Sequence, residues 1–200
     1  MGQKVLLNKE GFCYFVRDTS KDYHCEHGFF SIEDLKKKDG SAIKTNLGKV
    51  FLIFDAAFID CYQRIKRNAQ IISPKEIGMI VAETGLNRDS FVVDAGAGSG
   101  ALCCFLANLC REVITYDIRD DFIEVVKKNK EFLGLKNLKI KKGDVYEKIE
   151  EEGVDVVTLD VPEPWKALPV VAKALKVGGF VVAYNVTTTQ MADFANALRN

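Results

Sequence analysis

Four aspartates stand where short runs of the chain stop: Asp94 after Phe91-Val92-Val93, Asp117 after Ile114-Thr115-Tyr116, Asp144 after Lys142-Gly143, and Asp160 after Val157-Thr158-Leu159. A carboxylate at a strand end accepts hydrogen bonds from hydroxyls and amines and balances a cation. Asp94 runs into Ala95-Gly96-Ala97-Gly98-Ser99-Gly100, with Ala101 opening a helix. Glycines let such a loop turn sharply and let a ligand approach its backbone. The spacing Asp-x-Gly-x-Gly-x-Gly is not the Gly-x-Gly-x-x-Gly of dinucleotide enzymes. An acid closing the strand suits the ammonium of an amino acid and would repel a pyrophosphate. Taken alone, the loop is also consistent with a mere tight turn. Asp117 lies about 20 residues past the loop, where an acid accepts from ribose hydroxyls. Asp120 and Asp121 suit the blander role of charges at a helix start. Asp144 is placed to accept from the exocyclic amine of an adenine, with Val145 beside it. Asp160 opens Asp160-Val161-Pro162-Glu163-Pro164-Trp165, a loop stiffened by its prolines.

These acids need a sheet to hold them, and the pattern supplies one. From Lys75 onward helices and strands alternate: helix 75–84, strand 91–94, helix 101–110, strand 112–116, helix 120–133, strand 138–141, strand 154–159, helix 168–175, strand 180–184 and a last helix from 189. That alternation predicts an α/β fold with a parallel sheet covered on both faces. Earlier residues differ. Lys4–Leu7, Phe12–Val16 and Val50–Phe54 read as strands, and Ser31 caps a short helix with Asp34 in reach. Residues 1–68 are expected to form a small β-rich N-terminal domain with a connecting helix over 55–68, and residues 69–200 the ligand-binding domain.

Composition narrows the class. The chain has 200 residues, formal net charge zero, 48% hydrophobic and 28% charged residues. A dedicated nucleic-acid binder usually carries a basic surplus, so any contact of that kind must be local. The basic run Arg64, Lys66, Arg67 is one candidate, and a solvated helix end is the plain alternative. Six cysteines without a Cys-x-x-Cys pair fit a reducing cytoplasm. No apolar run is long enough to span a membrane, and the N-terminus lacks a secretory pattern. His24-Cys25-Glu26-His27 has no second cluster to complete a metal site and reads as a surface turn. Cys103 and Cys104 read as small core residues. Trp165 suits either stacking on a base or packing under its loop.

Taken together, these segments resemble the class I S-adenosylmethionine-dependent methyltransferases, with their Rossmann-like sheet. More closely they resemble the tRNA (adenine-N1)-methyltransferase family that modifies the T-loop, in its archaeal branch. The likeness rests on Gln70-Ile71-Ile72-Ser73-Pro74-Lys75, Asp94–Leu102, Tyr116-Asp117-Ile118-Arg119, Leu159–Trp165 and Gly178–Tyr184, with Asp22-Tyr23-His24 and Gly28 in the N-terminal part. It covers roughly residues 4–195. Asp94 and Asp117 replace the family's usual glutamates, and Ser73 a usual Tyr or His.

The resemblance implies S-adenosylmethionine as cofactor, methylation of N1 of a T-loop adenosine at positions 57/58, a tRNA partner and a homo-oligomer, a tetramer in full-length relatives. It implies that Gln70, Asp94, Gly96, Gly98, Ser99, Gly100 and Ala101 surround the methionine part. Asp117 would hold the ribose, Asp144 and Val145 the adenine. Asp160 would face both cofactor and target base as the catalytic group. No metal is implied. Two alternatives remain at this level: a non-catalytic cofactor- or tRNA-binding subunit, and a precorrin-type small-molecule methyltransferase. The class I sheet has seven strands and only five are legible here, so an exposed sheet edge and altered association are expected.

Overall fold

The computed structural model describes residues 2–199 and divides into two compact units between Arg64 and Ile65. In the first, β1 (Lys4–Leu7) pairs antiparallel with β2 (Cys13–Val16) and with β6 (Val50–Asp55), which also pairs with β5 (Ala42–Lys44). Side chains alternate across the sheet, so Leu6, Val16, Ile43, Phe51 and Ile53 share one face. They close on Phe30 and Leu35 to form that unit's core. Phe30 comes from the hairpin β3 (Tyr23–Cys25) and β4 (Gly28–Phe30). Leu35 comes from α1 (Ile32–Leu35), capped by Ser31, whose Oγ accepts from the Asp34 N–H at 3.2 Å. The three-residue strands β3, β4 and β5 are absent from the sequence reading because a period-two pattern cannot show itself over three residues. The surface turn expected for His24-Cys25-Glu26-His27 is half right: Glu26 and His27 form the turn of this hairpin, while His24 and Cys25 lie on β3.

The connecting helix expected over 55–68 is mostly not there. Only α2 (Phe58–Tyr62) forms. The Arg64 N–H still closes a turn on the Cys61 carbonyl, but from Lys66 on the backbone groups find side-chain partners instead of helical ones. The Lys66 N–H donates to Asn129 Oδ1 at 2.8 Å and its carbonyl accepts from Asn129 Nδ2 at 2.9 Å. The Asn68 and Ala69 N–H groups both donate to Ser99 Oγ at 2.9 Å.

The second unit carries β7 (Phe91–Ala95), α4 (Ala101–Leu109), β8 (Glu112–Asp117), α5 (Asp120–Leu133), β9 (Leu138–Lys142), β10 (Val154–Leu159), α6 (Leu168–Ala174) and β11 (Leu175–Ala183). Before them stands α3 (Pro74–Thr84) and after them α7 (Thr188–Ala197). Ser73 starts α3 with a capping box to Glu76, and Gly85 stops it in the left-handed region. The five strands are parallel in the order β11-β10-β7-β8-β9. The chain steps outward from β7 through β8 to β9, then returns to the other side at β10. Strand order thus reverses between β7 and β10, and a crevice opens beyond their carboxyl ends. This is the parallel α/β sheet that the alternation predicts, with the Rossmann-like form that the resemblance implies. β11 starts five residues earlier than expected, because Val154 pairs with Leu175 ahead of a bulge. Cys103 and Cys104 are fully buried on α4.

Candidate active site

The glycine loop is sewn to the ends of both neighbouring strands. The Gly96 and Ala97 N–H groups donate to the Tyr116 carbonyl at 3.0 and 3.1 Å, and the Asp160 N–H donates to the Ala95 carbonyl at 2.8 Å. Gly96 has φ +87°, and a Cβ there would lie 2.1 Å from the Asp160 carbonyl oxygen. The loop and the end of β10 are closer than any side chain allows. Asp117, at the end of β8, ties the loop from the other side. Its Oδ2 accepts from the Gly98 N–H at 3.0 Å and its Oδ1 from the Arg119 N–H at 2.9 Å.

These elements enclose a cavity of about 350 Å³. Gly96 and Gly98 form its floor, with Ala69 and Gln70 on one side. Tyr116, Asp117, Ile118, Arg119 and Phe122 form a second wall, Gly143, Asp144, Val145 and Tyr146 a third, and Asp160, Val161 and Pro162 the lip. A narrow cleft continues past Gln70, Gly96 and Gly98 to Asp94, Ser99 and Ala101, and Asp160 borders it as well. Every candidate side chain except one therefore borders the cavity or the cleft. Gly100 borders neither. With φ +77° it turns the chain into α4, and a Cβ there would press on Val126 at 3.0 Å. The Ser99 hydroxyl borders the cleft but is already engaged by residues 68 and 69.

The charge bordering the crevice is mostly acidic: Asp94 and Asp117 are buried, Asp144 is half-buried and Asp160 is exposed. Thr115 and Thr158, on the strands flanking β7, each donate a hydroxyl to one oxygen of Asp94 at 2.7 Å. Full burial nonetheless pushes the Asp94 carboxyl up to about 7; the two threonines oppose this, while Asp160 and Asp117 add to it. Asp160 is exposed toward the cavity, and the share of hydration that the surrounding protein displaces raises its carboxyl above the ordinary carboxylate value. It lacks a side-chain hydrogen bond among the described residues. Asp144 Oδ1 accepts from the Tyr146 N–H at 2.9 Å. The Tyr146 hydroxyl in turn accepts from the Glu163 N–H at 3.1 Å. Tyr146 thus joins the Asp144 turn to the loop that follows Asp160. Trp165 lies on that loop's short 3-10 turn and packs against the core beneath it, away from the cavity. Tyr184, just past β11, donates from its N–H to the Leu159 carbonyl and from its hydroxyl to Glu76 Oε1 at 3.0 Å. Ser73 caps α3 and lines neither space.

Phe122, Tyr146 and Asn129 are not among the residues expected from the sequence, and Arg119 is there only as part of the Tyr116–Arg119 segment, without a role. Arg119 lies over the Phe122 ring at 3.9 Å, a pair spaced for one helix face, and that spacing was a usable signal. Asn129 occupies a position on the apolar stripe of α5, three residues after Val126. A polar residue on such a stripe is the sign of a buried hydrogen-bonding job.

A family model described as a methyltransferase domain matches residues 86–199. A tRNA (adenine(57)-N(1)/adenine(58)-N(1))-methyltransferase of Methanocaldococcus jannaschii is 34% identical over an alignment that takes in 90% of this chain and 74% of that protein. The chain belongs to the tRNA (adenine-N1)-methyltransferase family. The likeness to this family extends to solved structures and takes in both units. The tRNA (m1A58) methyltransferase of Aquifex aeolicus matches with a TM-score of 0.79 at 25% identity, over 99% of this chain and 80% of that one. A SAM-dependent O-methyltransferase of Thermotoga maritima matches with a TM-score of 0.85 at 29% identity, over 99% and 77%.

Proposed function

We propose that the chain transfers the methyl group of S-adenosylmethionine to N1 of a T-loop adenosine of tRNA, at position 57 or 58. The observation that carries this is the placement of Asp160, an unpartnered acid on the lip shared by cavity and cleft, in a chain whose family acts on that base. A precorrin-type reading leaves the whole first unit without a purpose, whereas the tRNA-modifying relative is matched across 90% of the chain.

The donor set fits the cofactor. Four acids and one cation, Arg119, which is paired with Asp121, border the two spaces, a balance that suits a cationic amino-acid nucleoside and disfavours a phosphate. In this assignment Gln70, Gly96, Gly98 and Ala101 surround the methionine part, with Asp94 as the anion beneath its ammonium. Asp117 accepts from the ribose hydroxyls with the lone pairs its backbone bonds leave free. Asp144 accepts from the adenine amine, and Val145 lies against the ring. Ser99 and Gly100 act indirectly, by fixing residues 68–69 and the start of α4. When bound, S-adenosylmethionine supplies an electrophilic methyl group on a sulfonium. The protein's main task is then alignment. Asp160 accepts a hydrogen bond from the amino group of the target adenine. Its charge stabilises the positive charge that grows on the ring as N1 is alkylated, and it is placed to take the amino proton. The T-loop adenine is stacked in folded tRNA and is flipped out to reach this lip.

We also assign the protein to the cytoplasm, on the strength of six unpaired cysteines. A homo-oligomer is supported by β11, an edge strand among the described residues, where Val177 and Phe180 are exposed. The deciding experiment supplies labelled S-adenosylmethionine and unmodified tRNA, followed by digestion to nucleosides. Label in 1-methyladenosine is expected. Cofactor binding without transfer would point to the non-catalytic subunit instead.

A further inference from the structure

The basic run Arg64, Lys66, Arg67 does not behave as one group. Arg64 is spent on structure: its guanidinium lies over the Phe15 ring at 4.4 Å and its Nη1 donates to the Asp60 carbonyl at 2.7 Å. Ile65 is buried. Lys66 and Arg67 are exposed, and neither side chain meets an acid among the described residues. Other exposed lysines divide: Lys37, Lys49, Lys127, Lys142 and Lys166 each find an acid, while Lys44, Lys128 and Lys136 find none among the described residues, so it is their place in the chain that sets Lys66 and Arg67 apart.

The backbone under this pair is held with unusual firmness for a stretch without regular structure. Asn129 is 2% exposed. Its Oδ1 accepts from the Lys66 N–H, and its Nδ2 donates to the Lys66 carbonyl and to the Ser99 carbonyl, each at 2.9 Å or less. Breaking such a buried set leaves polar groups unsatisfied, so the segment cannot drift. The same segment reaches the cavity at Ala69 and Gln70. Three residues from Arg67 to Gln70 span at most ~11 Å of chain. Two unpaired cations are therefore anchored to the glycine loop, at the rim of a cavity whose own walls carry only acids and one arginine, Arg119, that is engaged with Asp121.

We propose that Lys66 and Arg67 bind backbone phosphates of the RNA whose base enters the cavity, with Asn129 and Ser99 presenting them. The inference rests on the tRNA reading above. A chain of zero net charge has no general attraction for RNA, and the acids of the cavity repel phosphate. A fixed cationic pair at the rim supplies attraction where the strand must pass and leaves the cavity to the base.

The test compares wild type with the double variant Lys66→Gln/Arg67→Gln, using unmodified tRNA in a salt titration and S-adenosylmethionine in calorimetry. The variant is expected to bind tRNA about tenfold more weakly at moderate salt, with the slope of log K against log salt reduced by about 2. Its cofactor affinity is expected to match wild type, which also shows that it folds. The charge-keeping variant Lys66→Arg/Arg67→Lys is expected to retain binding. An unchanged salt slope, in a wild type that does methylate tRNA, overturns this inference and leaves the methyltransferase reading intact. A loss of cofactor affinity with tRNA binding unchanged also overturns it, because the pair would then be holding the methionine carboxylate. A wild type that neither binds nor methylates tRNA overturns both readings.

Discussion

Asp94 is held by two threonine hydroxyls and still keeps its proton to a pH of about 7. Its folded value lies above its unfolded one, so its stabilising contribution is complete below about 4 and is lost as pH rises through about 7. Asp94→Asn is expected to flatten the dependence of the thermal midpoint on pH across that window. A wild type whose midpoint does not fall between pH 5 and 8 contradicts this. A cationic ligand beside the carboxyl favours its ionised form, so cofactor binding near pH 7 should release a proton. Calorimetry in buffers of different ionisation enthalpy detects that release, and the Asn variant should lose it. Asp160 is likewise raised by the hydration it loses to the surrounding protein. The acid limb of the activity profile should therefore lie above the ordinary carboxylate value of 3.8. Asp160→Asn should lower kcat by about 10²–10³ with little change in cofactor affinity. The strand-end acids were legible because position alone gives them a role. Asn129 shows only as a polar residue on an apolar stripe and Tyr146 not at all, since their partners at residues 66 and 163 are far away in sequence.

Among the elements, the loop after β7 and the loop after β10 behave as one object. Gly96→Ala would force a Cβ into the Asp160 carbonyl in a left-handed conformation; the conformation alone costs about 1–3 kcal/mol. The expected result is loss of both cofactor binding and transfer, read by calorimetry and by the nucleoside assay. The second link is milder. Tyr146→Phe removes the acceptor for the Glu163 N–H and should destabilise by about 1 kcal/mol. It should lower kcat more than it raises the KM for S-adenosylmethionine, since it loosens the acceptor loop while Asp144 keeps its place. An equal rise in both KM values with kcat unchanged would contradict that role. The helices and strands after residue 75 were readable because each is long enough to show its period, as α5 does over Asp120–Leu133. The expected helix over 55–68 failed for the opposite reason: its backbone partners are the side chains of Asn129 and Ser99, which no local pattern announces.

At the scale of the molecule, each unit has its own core, one around Phe51 and Ile53, the other around Val93, Ile114 and Val157. A ligand that binds only the second should stabilise that unit by about 2.7 kcal/mol at a hundred times its Kd. Scanning calorimetry is expected to show two transitions, of which S-adenosylmethionine moves one. Phe51→Ala should lower the other by about 3–5 kcal/mol in stability. A single transition that moves as a whole under both changes would show that the units melt together. The stretch from residue 63 to 73 has the look of a linker, and the natural temptation is to cut there when making the catalytic half alone. The hydrogen bonds of Asn129 and Ser99 make the choice of cut consequential. A fragment begun at residue 70 would strip Ser99 Oγ of two donors and leave the buried amide of Asn129 facing nothing at residue 66. One begun at residue 65 keeps every one of them. In hydrogen exchange the amides of Lys66, Asn68 and Ala69 should accordingly be slow, an island of protection in a segment that has neither helix nor strand to explain it.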